Sequence, residues 1–335
     1  MRVAINGLGR IGRCVARILL SRYAGTLALI NDPADREVLT YLFEHDSVHG
    51  VYRPEVSLEG EKLCVGDSCV LFKQCQNPQD LDLLGIDILL ETSGKFNTYE
   101  DLEVFRQKGA KKVILGAPFA PSASDLAKKA TFVLGVNHFA YKKQDIISNA
   151  SCTTNALAPL CMLLDTHFGI ESALLTTIHS YTKGQALVDG VLGTDKRRSR
   201  AAANIIPTTT RSAMALYYVL PNLEGKIHGR SVRVPTIDVS MVDLSVYLQK
   251  ETDTQTLLTL FKEASQSNLK GILEVDSAYK VSSDLVGNEA SCVVIEDMIF
   301  SLGRHVKIMA WYDNEWAYAK RLVDLALYTG NAGGE

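Results

Sequence analysis

The sequence predicts an α/β protein with two domains: a doubly wound parallel sheet, and an α+β domain with a mixed or antiparallel sheet. In the first part, strand-like runs such as DILLETSGKF (87–96), KKVILGAP (111–118) and ATFVLGVN (130–137) alternate with helical patterns such as NTYEDLEVFRQKGA (97–110). Strands that alternate with helices form parallel sheets. After about residue 150, strand-like runs follow one another with turn residues between them, which favours antiparallel pairing. At 335 residues the chain is long enough for two hydrophobic cores.

Composition and charge exclude several classes of protein. Hydrophobic residues make up 47% of the chain and charged residues 22%, which is ordinary for a soluble globular protein. The net charge is −3, so no nucleic acid or membrane surface is expected as a partner. The sequence does not begin like a secretory signal, and no apolar run approaches the roughly 18 residues of a membrane span. We therefore expect a cytoplasmic protein.

The seven cysteines are expected to be reduced. Their number is odd and no C-x-x-C pair occurs, so neither a disulfide framework nor, without clustered histidines, a zinc site is expected. No other metal is expected either. Six of the seven fit buried thiols, including Cys64 and Cys69, which lie in a segment with the pattern of a β-hairpin. The remaining cysteine, Cys152, has a different setting.

The first strand-like run leads into a glycine-rich turn. RVAIN (2–6) is followed by GLGRIG, in which Gly7, Gly9 and Gly12 have the spacing G-x-G-x-x-G, and apolar residues at helical spacing come next. In such a strand–turn–helix unit the first glycine permits the tight turn, the second lets backbone approach a pyrophosphate, and the third lets the helix pack closely. The N–H groups of the helix N-terminus attract phosphates. A plain turn between strand and helix is the alternative.

The next strand-like run carries the residue that selects the cofactor. TLALIND (26–32) ends at Asp32, about 20 residues beyond the glycines, as a dinucleotide site requires. A carboxylate there accepts hydrogen bonds from ribose hydroxyls and repels a 2′-phosphate, which favours NAD over NADP. Arg36 follows closely, so use of NADP stays open unless this arginine is simply solvated.

The second half places a cysteine at a predicted helix start and a histidine at a predicted strand end. The helical pattern SCTTNALAPLCMLLDTHFG begins at 151, and the strand pattern ESALLTTIHSY ends near His179. A helix N-terminus lowers the pKa of a thiol such as Cys152 and offers N–H groups to an oxyanion. A histidine can supply the base or the ion-pair partner. The alternative is that both residues only pack in the core, because residues distant in sequence need not meet.

The chain ends in an amphipathic helical pattern, NEWAYAKRLVDLALYTG. We expect a dinucleotide-binding domain at 1–150, a catalytic domain at 151–313, and a C-terminal helix at 314–335 that packs back on the first domain.

Six segments, in order across nearly the whole chain, resemble the phosphorylating glyceraldehyde-3-phosphate dehydrogenase family: INGLGRIGR, SNASCTTN, TTIHSYT, RRSRAAANIIPTTT, RVPT and WYDNEWAYAKR. The resemblance implies a homotetramer of Rossmann and catalytic domains. It implies the reversible, NAD-dependent oxidation of D-glyceraldehyde 3-phosphate to 1,3-bisphosphoglycerate, a reaction of glycolysis and gluconeogenesis. Cys152 is then the nucleophile that forms a thiohemiacetal and a thioester, and His179 activates it.

The resemblance also implies binding residues. Arg10 and Ile11 would contact the dinucleotide phosphates, and Asn314 would orient the nicotinamide carboxamide. The attacking inorganic phosphate and the phosphate group of the substrate would each have a site of hydroxyls and arginines. The first site would comprise Ser151, Thr153 and Thr210, and the second Thr182, Arg197 and Arg233.

The sequence departs from the family pattern at several positions. Gly116 stands where a nicotinamide-contacting serine or threonine is common, and Gln76 where an arginine near the adenine is common. Lys183 and Gly184 replace the Asn-Asp pair that usually follows HSYT. Arg211 stands where the family usually has glycine.

Arg211 leaves the acyl acceptor open. Its guanidinium would strengthen the attacking-phosphate site, block that site, or point to solvent or a subunit contact. The sister erythrose-4-phosphate dehydrogenases keep the glycine less strictly and hydrolyse the thioester, so a non-phosphorylating dehydrogenase is the alternative function. A binding protein that has lost catalysis is a third, disfavoured by the intact Cys152, His179 and Asn314.

Overall fold

The computed structural model describes residues 1–120, 128–201 and 203–331. They group into two compact units. The first contains Met1–Leu134, His138–Ser151 and the segment from Tyr318 onward, and the second contains Gly135–Asn137 and Cys152–Ala317. Residues 332–335 of the predicted C-terminal helix lie outside the described part of the chain.

The first unit is built on a sheet whose central part is parallel. The strands of this unit are β1 (Val3–Asn6), β2 (Leu27–Asn31), β3 (His45–Asp46), β4 (Gly50–Val51), β5 (Val56–Glu59), β6 (Lys62–Val65), β7 (Ser68–Lys73), β8 (Ile88–Glu91), β9 (Lys112–Leu115) and β10 (Ile146–Ser148). The sheet order is β10-β9-β8-β1-β2-β7-β6-β5, with parallel pairs from β10 to β7 and antiparallel pairs from β7 to β5. β3 and β4 form a separate ribbon.

One predicted strand is wrong. The segment 130–137 forms only an isolated parallel bridge between Thr131 and Ser148. Its apolar residues are buried apart from the half-buried Leu134. A buried segment without strand pairing has the same run of apolar residues as a buried strand, so the sequence does not distinguish the two.

Three helices of the first unit follow their sequence signals: α1 (Arg10–Arg22), α2 (Arg36–Glu44) and α3 (Tyr99–Gln107). The side chain of Asp35 caps α2, and Thr98 and Asp101 form a capping box on α3. By contrast, α1 has no side-chain cap. The first N–H groups of a helix lack acceptors within it, so those of α1 are suited to a ligand.

The second unit has a mixed sheet. This confirms the predicted fold class, a parallel α/β domain followed by an α+β domain with a mixed or antiparallel sheet. Its elements are α4 (Cys152–Phe168), β11 (Ile170–Ser180), β12 (Ile206–Thr209), α5 (Ser212–Val219), β13 (Ile227–Val234), β14 (Ser240–Leu248), α6 (Thr254–Gln266), β15 (Leu273–Asp276), β16 (Cys292–Ile295), β17 (Phe300–Leu302) and β18 (His305–Tyr312). The sheet order is β12-β13-β11-β14-β18-β16-β15, with β17 against β18. β11 pairs in parallel with β13 and in antiparallel fashion with β14. Helix α4 packs on this sheet.

The last helix, α7 (Trp316–Asn331), joins the first unit from Tyr318 onward. The Tyr318 hydroxyl donates to the carbonyl of Ala150 at 2.9 Å, and Lys112 Nζ donates to the carbonyl of Thr329 at 3.2 Å. Within the ranges that the structure describes, no helix combines the length and apolar character needed to cross a bilayer.

The expectation that all seven cysteines are reduced is wrong, because Cys64 and Cys69 form a disulfide. The two residues are direct partners in the β6–β7 ladder, with Cα atoms 4.1 Å apart. Residues directly opposite each other on antiparallel strands have neighbouring side chains. Whether two cysteines are opposite depends on the register of the strands, which the number of cysteines does not reveal. The remaining thiols are those of Cys14, Cys161 and Cys292, which are buried, and of Cys75 and Cys152, which are partly exposed.

This pairing predicts the thiol count of protein isolated without reductant. Unfolded and unreduced, the chain should titrate five thiols with Ellman's reagent, and seven after reduction. A Cys64→Ser variant should show one additional thiol before reduction, from the released Cys69. Seven thiols in the unreduced wild-type chain would contradict the disulfide.

Candidate active site

The glycine turn between β1 and α1 has open space beside one of its three glycines. At the other two, neighbouring atoms leave no room even for a Cβ atom. Gly7 has φ of +97°, and a Cβ there would lie 2.5 Å from backbone atoms of Ser93. A Cβ on Gly12 would lie 2.0 Å from the carbonyl oxygen of Gly7, so the helix packs directly on the turn. A Cβ on Gly9 would meet no described atom within 4 Å. The turn therefore fits the approach of a pyrophosphate to the backbone at Gly9.

The start of α1 offers backbone groups rather than a side-chain charge. The guanidinium of Arg10 forms an ion pair with Asp46, whose carboxylate also lies 3.6 Å from Arg13. Burial acts to raise the pKa of Asp46, but hydrogen bonds from the His49 amide and from Arg10 hold that pKa below its usual range. Because its side chain is engaged, Arg10, like the half-exposed Ile11, is suited to contact a phosphate through its N–H group.

Asp32 closes the turn and has the geometry expected of a ribose acceptor. Its Oδ2 accepts from the Leu8 amide at 2.8 Å, and its Oδ1 accepts from the Ala34 amide at 3.0 Å. A carboxylate has about four acceptor positions, so both oxygens can accept a further bond from a ribose. The guanidinium of Arg36 donates to Glu61 at 3.1 Å. Arg36, the residue that left the use of NADP open in the sequence, is therefore paired with a carboxylate.

The two atypical cofactor positions differ in their surroundings. Gln76 is exposed in the loop after β7. A Cβ on Gly116 would lie 3.0 Å from the carbonyl oxygen of Glu91 and 3.2 Å from Thr92 Cγ2. This close approach explains the glycine, since a serine or threonine would require its neighbours to shift.

In the second unit, the fold brings Cys152 and His179 together. Cys152 is the first residue of α4 and His179 is the next-to-last residue of β11. The Sγ and Nε2 atoms are 3.7 Å apart, although 27 positions separate the residues in sequence. The Nδ1 atom lies 2.8 Å from the carbonyl oxygen of Ser180. In the tautomer that donates Nδ1–H to this carbonyl, Nε2 faces the thiol as a proton acceptor.

Arg233 places a positive charge beside this pair. It lies opposite His179 in the parallel β11–β13 ladder. Its Nη1 donates to the Ser180 carbonyl at 2.9 Å and lies 2.6 Å from His179 Nδ1. Because a guanidinium only donates, this second contact favours the tautomer in which Nδ1 accepts, whereas the Ser180 carbonyl favours the tautomer with Nδ1–H. Burial, reinforced by the charge of Arg233, lowers the pKa of His179 to about 3. The imidazole is therefore a neutral base at neutral pH.

The thiol departs from the sequence-based expectation. Burial raises the pKa of Cys152, while the charge of Arg233 and hydrogen bonding with Thr153 act to lower it. The helix N-terminus alone suggested a lowered pKa, but here desolvation of the thiolate outweighs it. The result is a neutral thiol beside a neutral imidazole. This arrangement favours transfer of the proton from Sγ to Nε2 as the sulfur attacks an electrophile.

Asn314 is oriented by two serines. Its Oδ1 accepts from Ser180 Oγ at 2.9 Å and from Ser240 Oγ at 2.6 Å, and the residue is 8% exposed. With the oxygen fixed in this way, Nδ2 is the end that can donate to a ligand. The segment His179–Ser180 thus contributes both the base and an anchor for this amide.

The hydroxyl of Thr153 belongs to a buried network. Its Oγ1 is 2.9 Å from the Tyr312 hydroxyl, which lies 2.8 Å from Thr177 Oγ1. Thr153 itself is 3% exposed. Its side chain therefore ties the start of α4 to the sheet, and its backbone N–H is the group suited to an anion.

The other candidates for the attacking phosphate are more accessible. Thr210 is partly exposed, and its Oγ1 accepts from the Ser212 amide at 3.1 Å. Arg211 is exposed at the residue before α5 and makes no side-chain cap there. Ser151 is partly exposed and belongs to the first unit.

The basic loop brings an arginine that the sequence analysis did not select, Arg198, near Arg233. Arg197, selected by counting from the last arginine, donates to the Pro207 carbonyl at 3.2 Å. Burial lowers the pKa of Arg233, and the charge of the neighbouring Arg198 acts in the same direction. The structure therefore brings Arg198 near Arg233. No spacing signal distinguishes two adjacent arginines, because only the loop conformation decides where each points.

Comparison with known proteins agrees with this arrangement. The family model described as glyceraldehyde 3-phosphate dehydrogenase, NAD binding domain, matches residues 1–99, and that of the C-terminal domain matches residues 151–314. The glyceraldehyde-3-phosphate dehydrogenase of Helicobacter pylori is 50% identical over 334 residues, which cover 98% of this chain and 99% of that protein. Those of Chlamydia pneumoniae and Geobacillus stearothermophilus are 44% and 42% identical, over 98% and 99% of both chains. The chain belongs to the glyceraldehyde-3-phosphate dehydrogenase family.

Proposed function

We propose that this protein catalyses the reversible, phosphorylating oxidation of D-glyceraldehyde 3-phosphate to 1,3-bisphosphoglycerate. The observation that carries the proposal is the contact of the Cys152 thiol with a neutral imidazole, at a helix start and beside Arg233. Similarity to proteins of this name along the whole chain supports it. The family reaction is a step of glycolysis.

NAD is the cofactor, and the residues of the glycine turn fit it. When bound, it accepts a hydride from the substrate carbon. The backbone around Gly9 and Arg10 would hold the pyrophosphate, Asp32 the ribose hydroxyls, and Asn314 the carboxamide.

The thiol and the imidazole perform the covalent chemistry. Cys152 Sγ bonds to the aldehyde carbon while its proton moves to His179 Nε2, which returns it to the developing alkoxide as the hemithioacetal forms. Nε2 then removes the hydroxyl proton as the carbon is oxidised to a thioester. An oxygen of inorganic phosphate attacks this carbon, the C–S bond breaks, and the sulfur recovers its proton from Nε2.

Backbone groups at the start of α4 stabilise the charge that develops on oxygen. The Thr153 N–H lies against the Cys152 sulfur, next to the position where the carbonyl carbon reacts. Donors fixed in advance at a developing oxyanion contribute strongly to rate acceleration.

Two anion sites complete the proposal. We assign Thr182, Arg198 and Arg233 to the substrate phosphate, with Arg198 in place of Arg197. Ser151, the Thr153 backbone, Thr210 and Arg211 are assigned to the attacking phosphate. The exposed guanidinium of Arg211 favours a role as an added donor. Hydrolysis of the thioester by water, as in erythrose-4-phosphate dehydrogenases, is the second candidate function, because the same side chain can instead occupy the phosphate position.

The assembly is a further part of the proposal. The sheet of the second unit exposes Leu174 and Leu302, each 68% accessible, and the neighbouring Phe300. Large apolar side chains on one surface support association of subunits, in keeping with a homotetramer. The proposed partners are a sugar phosphate and inorganic phosphate, and the proposed location is the cytoplasm.

The proposed activity predicts a phosphate-dependent reaction. With NAD and D-glyceraldehyde 3-phosphate, the protein should produce NADH and an acyl phosphate at a rate that requires inorganic phosphate. Cys152→Ser should lower kcat by several orders of magnitude, because a hydroxyl is scarcely ionised at neutral pH. Cys75→Ser is the control and should retain activity. Turnover that ignores phosphate and yields only free acid would favour the hydrolytic alternative.

The charge of Arg233 predicts a pH effect on the nucleophile. This charge acts to lower the pKa of Cys152, so Arg233→Met should raise it further and reduce the thiolate fraction at any given pH. The rate of alkylation by iodoacetamide, a neutral reagent, should then rise at higher pH in the variant than in the wild type. Arg230→Met is the matched control on the same strand, since its guanidinium contacts His228 and Gly229. Superimposable profiles for wild type and Arg233→Met would refute this role.

The position of Asp32 predicts cofactor selectivity. The wild type should have a higher kcat/KM with NAD than with NADP, and Asp32→Gly should reduce that ratio about tenfold by removing a like-charge clash. Arg36→Gln should leave the ratio unchanged, because Arg36 is paired with Glu61. Equal efficiency with both cofactors in the wild type would show that Asp32 does not select between them.

A further inference from the structure

Several elements of the first unit meet at one edge of its sheet, beside Asp32. β2 and β7 are parallel, so their carboxyl ends lie at the same edge, where the Asp32 amide donates to the Lys73 carbonyl at 3.1 Å. β6 runs antiparallel to β7, which brings the turn between β5 and β6 to this edge as well. Helix α2 begins at Arg36, shortly after Asp32. Two cations, Arg36 and Lys73, therefore belong to elements that meet beside the carboxylate proposed to bind the ribose.

One carboxylate in the turn between β5 and β6, that of Glu61, pairs with both cations. Its Oε1 lies 3.1 Å from Arg36 Nη2, and its Oε2 lies 2.7 Å from Lys73 Nζ. The Glu61 carbonyl accepts from the Phe72 amide at 2.7 Å, which fixes the backbone of the turn against β7. In the part of the chain that the structure describes, neither cation forms an ion pair with another carboxylate. The position of both charges therefore depends on Glu61.

The contacts of the two cations indicate that Glu61 is what holds them at this turn. A hydrogen bond from Lys73, assisted by the charge of Lys73 and a bond from Arg36, lowers the pKa of Glu61, so its carboxylate is ionised at neutral pH. Apart from Glu61, the guanidinium of Arg36 donates only a long bond of 3.4 Å to the Gly60 carbonyl, and its buried Nε has no acceptor among the described residues. Without Glu61, both side chains would be free to contact another anion at this edge of the sheet.

We propose that Glu61 is a specificity-determining residue for the cofactor. It holds the charged ends of Arg36 and Lys73 at the turn between β5 and β6, so that they do not bind the 2′-phosphate of NADP and offset its repulsion by Asp32. Arginine and lysine at such a position accommodate that phosphate. Discrimination against NADP thus requires two carboxylates, one that repels the phosphate and one that withdraws the cations that would attract it. The inference rests on the proposed function in one respect, the assignment of Asp32 to the ribose.

Direct binding tests this role without catalysis. Dissociation constants of NAD and NADP are measured by isothermal titration calorimetry for the wild type and for Glu61→Gln at low ionic strength. We expect Kd for NADP to fall about fivefold in the variant, the size of one exposed ion pair that is transferred to the phosphate, and Kd for NAD to stay the same. At about 1 M salt the difference should disappear, because exposed charges are then screened over about 3 Å.

Glu59→Gln is the matched control. It removes the same charge from the end of β5, where Glu59 is exposed and, within the described ranges, forms no ion pair. It should match the wild type with both cofactors. In a background that carries Arg36→Gln and Lys73→Gln, Glu61→Gln should not change Kd for NADP, because the cations that it releases are absent.

Three results would overturn the inference: an unchanged Kd for NADP in Glu61→Gln, an equal fall in Glu59→Gln, or a fall that persists without the two cations. Asp32→Gly separates the inference from the proposed function. If Asp32→Gly strengthens the binding of NADP and Glu61→Gln does not, the inference alone fails. If neither variant changes Kd for NADP, the assignment of Asp32 to the ribose fails together with the inference.

Discussion

The contact of Arg233 with the His179–Ser180 segment is the interaction on which the thiol site depends. It arises from the parallel pairing of β11 with β13, which sets His179 opposite Arg233. Burial has the largest effect on the pKa of each reacting group, raising that of Cys152 and lowering that of His179, and the guanidinium charge acts to lower both. This charge has opposite consequences for the two groups. It stabilises a thiolate on Cys152 and destabilises an imidazolium on His179. The charge therefore assists departure of the thiol proton from Cys152 while it limits the basicity of His179. A base of limited strength releases the proton again readily, as a proton relay requires.

The same strand end also controls the orientation of the Asn314 amide, which we propose as a contact of the cofactor. Ser180 donates its hydroxyl to Asn314, while its carbonyl accepts from Arg233. A displacement of this one residue would alter the base, the cation and the amide together. The network of Tyr312 with Thr153 and Thr177 holds the start of α4 to the same sheet. The reacting sulfur is thus fixed by contacts from a helix and from strands, which is how a protein keeps reacting groups in position.

Local features were readable from the sequence, and features that depend on register or burial were not. The glycine turn, Asp32 and the helix start at Cys152 lie within short segments whose pattern determines their conformation. The Cys64–Cys69 disulfide depends on which residues are opposite in β6 and β7, and the raised pKa of Cys152 depends on how deeply α4 is buried. The helix N-terminus at Cys152 is a local feature of the sequence, whereas the desolvation that opposes its effect on the thiol pKa arises only in the folded protein.

The departures at Gly184 and Arg211 have one electrostatic consequence. The usual family pattern has an Asn-Asp pair where this chain has Lys183 and Gly184, and a glycine where it has Arg211, so each change makes the local charge more positive. The chain as a whole carries a net charge of −3, so these two departures add positive charge locally in a chain that is slightly acidic overall. Such a local field attracts phosphorylated substrates and retains phosphorylated products for the same reason. Salt screens exposed charges over about 8 Å at physiological ionic strength, so the exposed Arg211 is screened more than the partly buried Arg233. Of the cations in these proposed sites, the partly buried Arg233 is therefore the one that salt screens least.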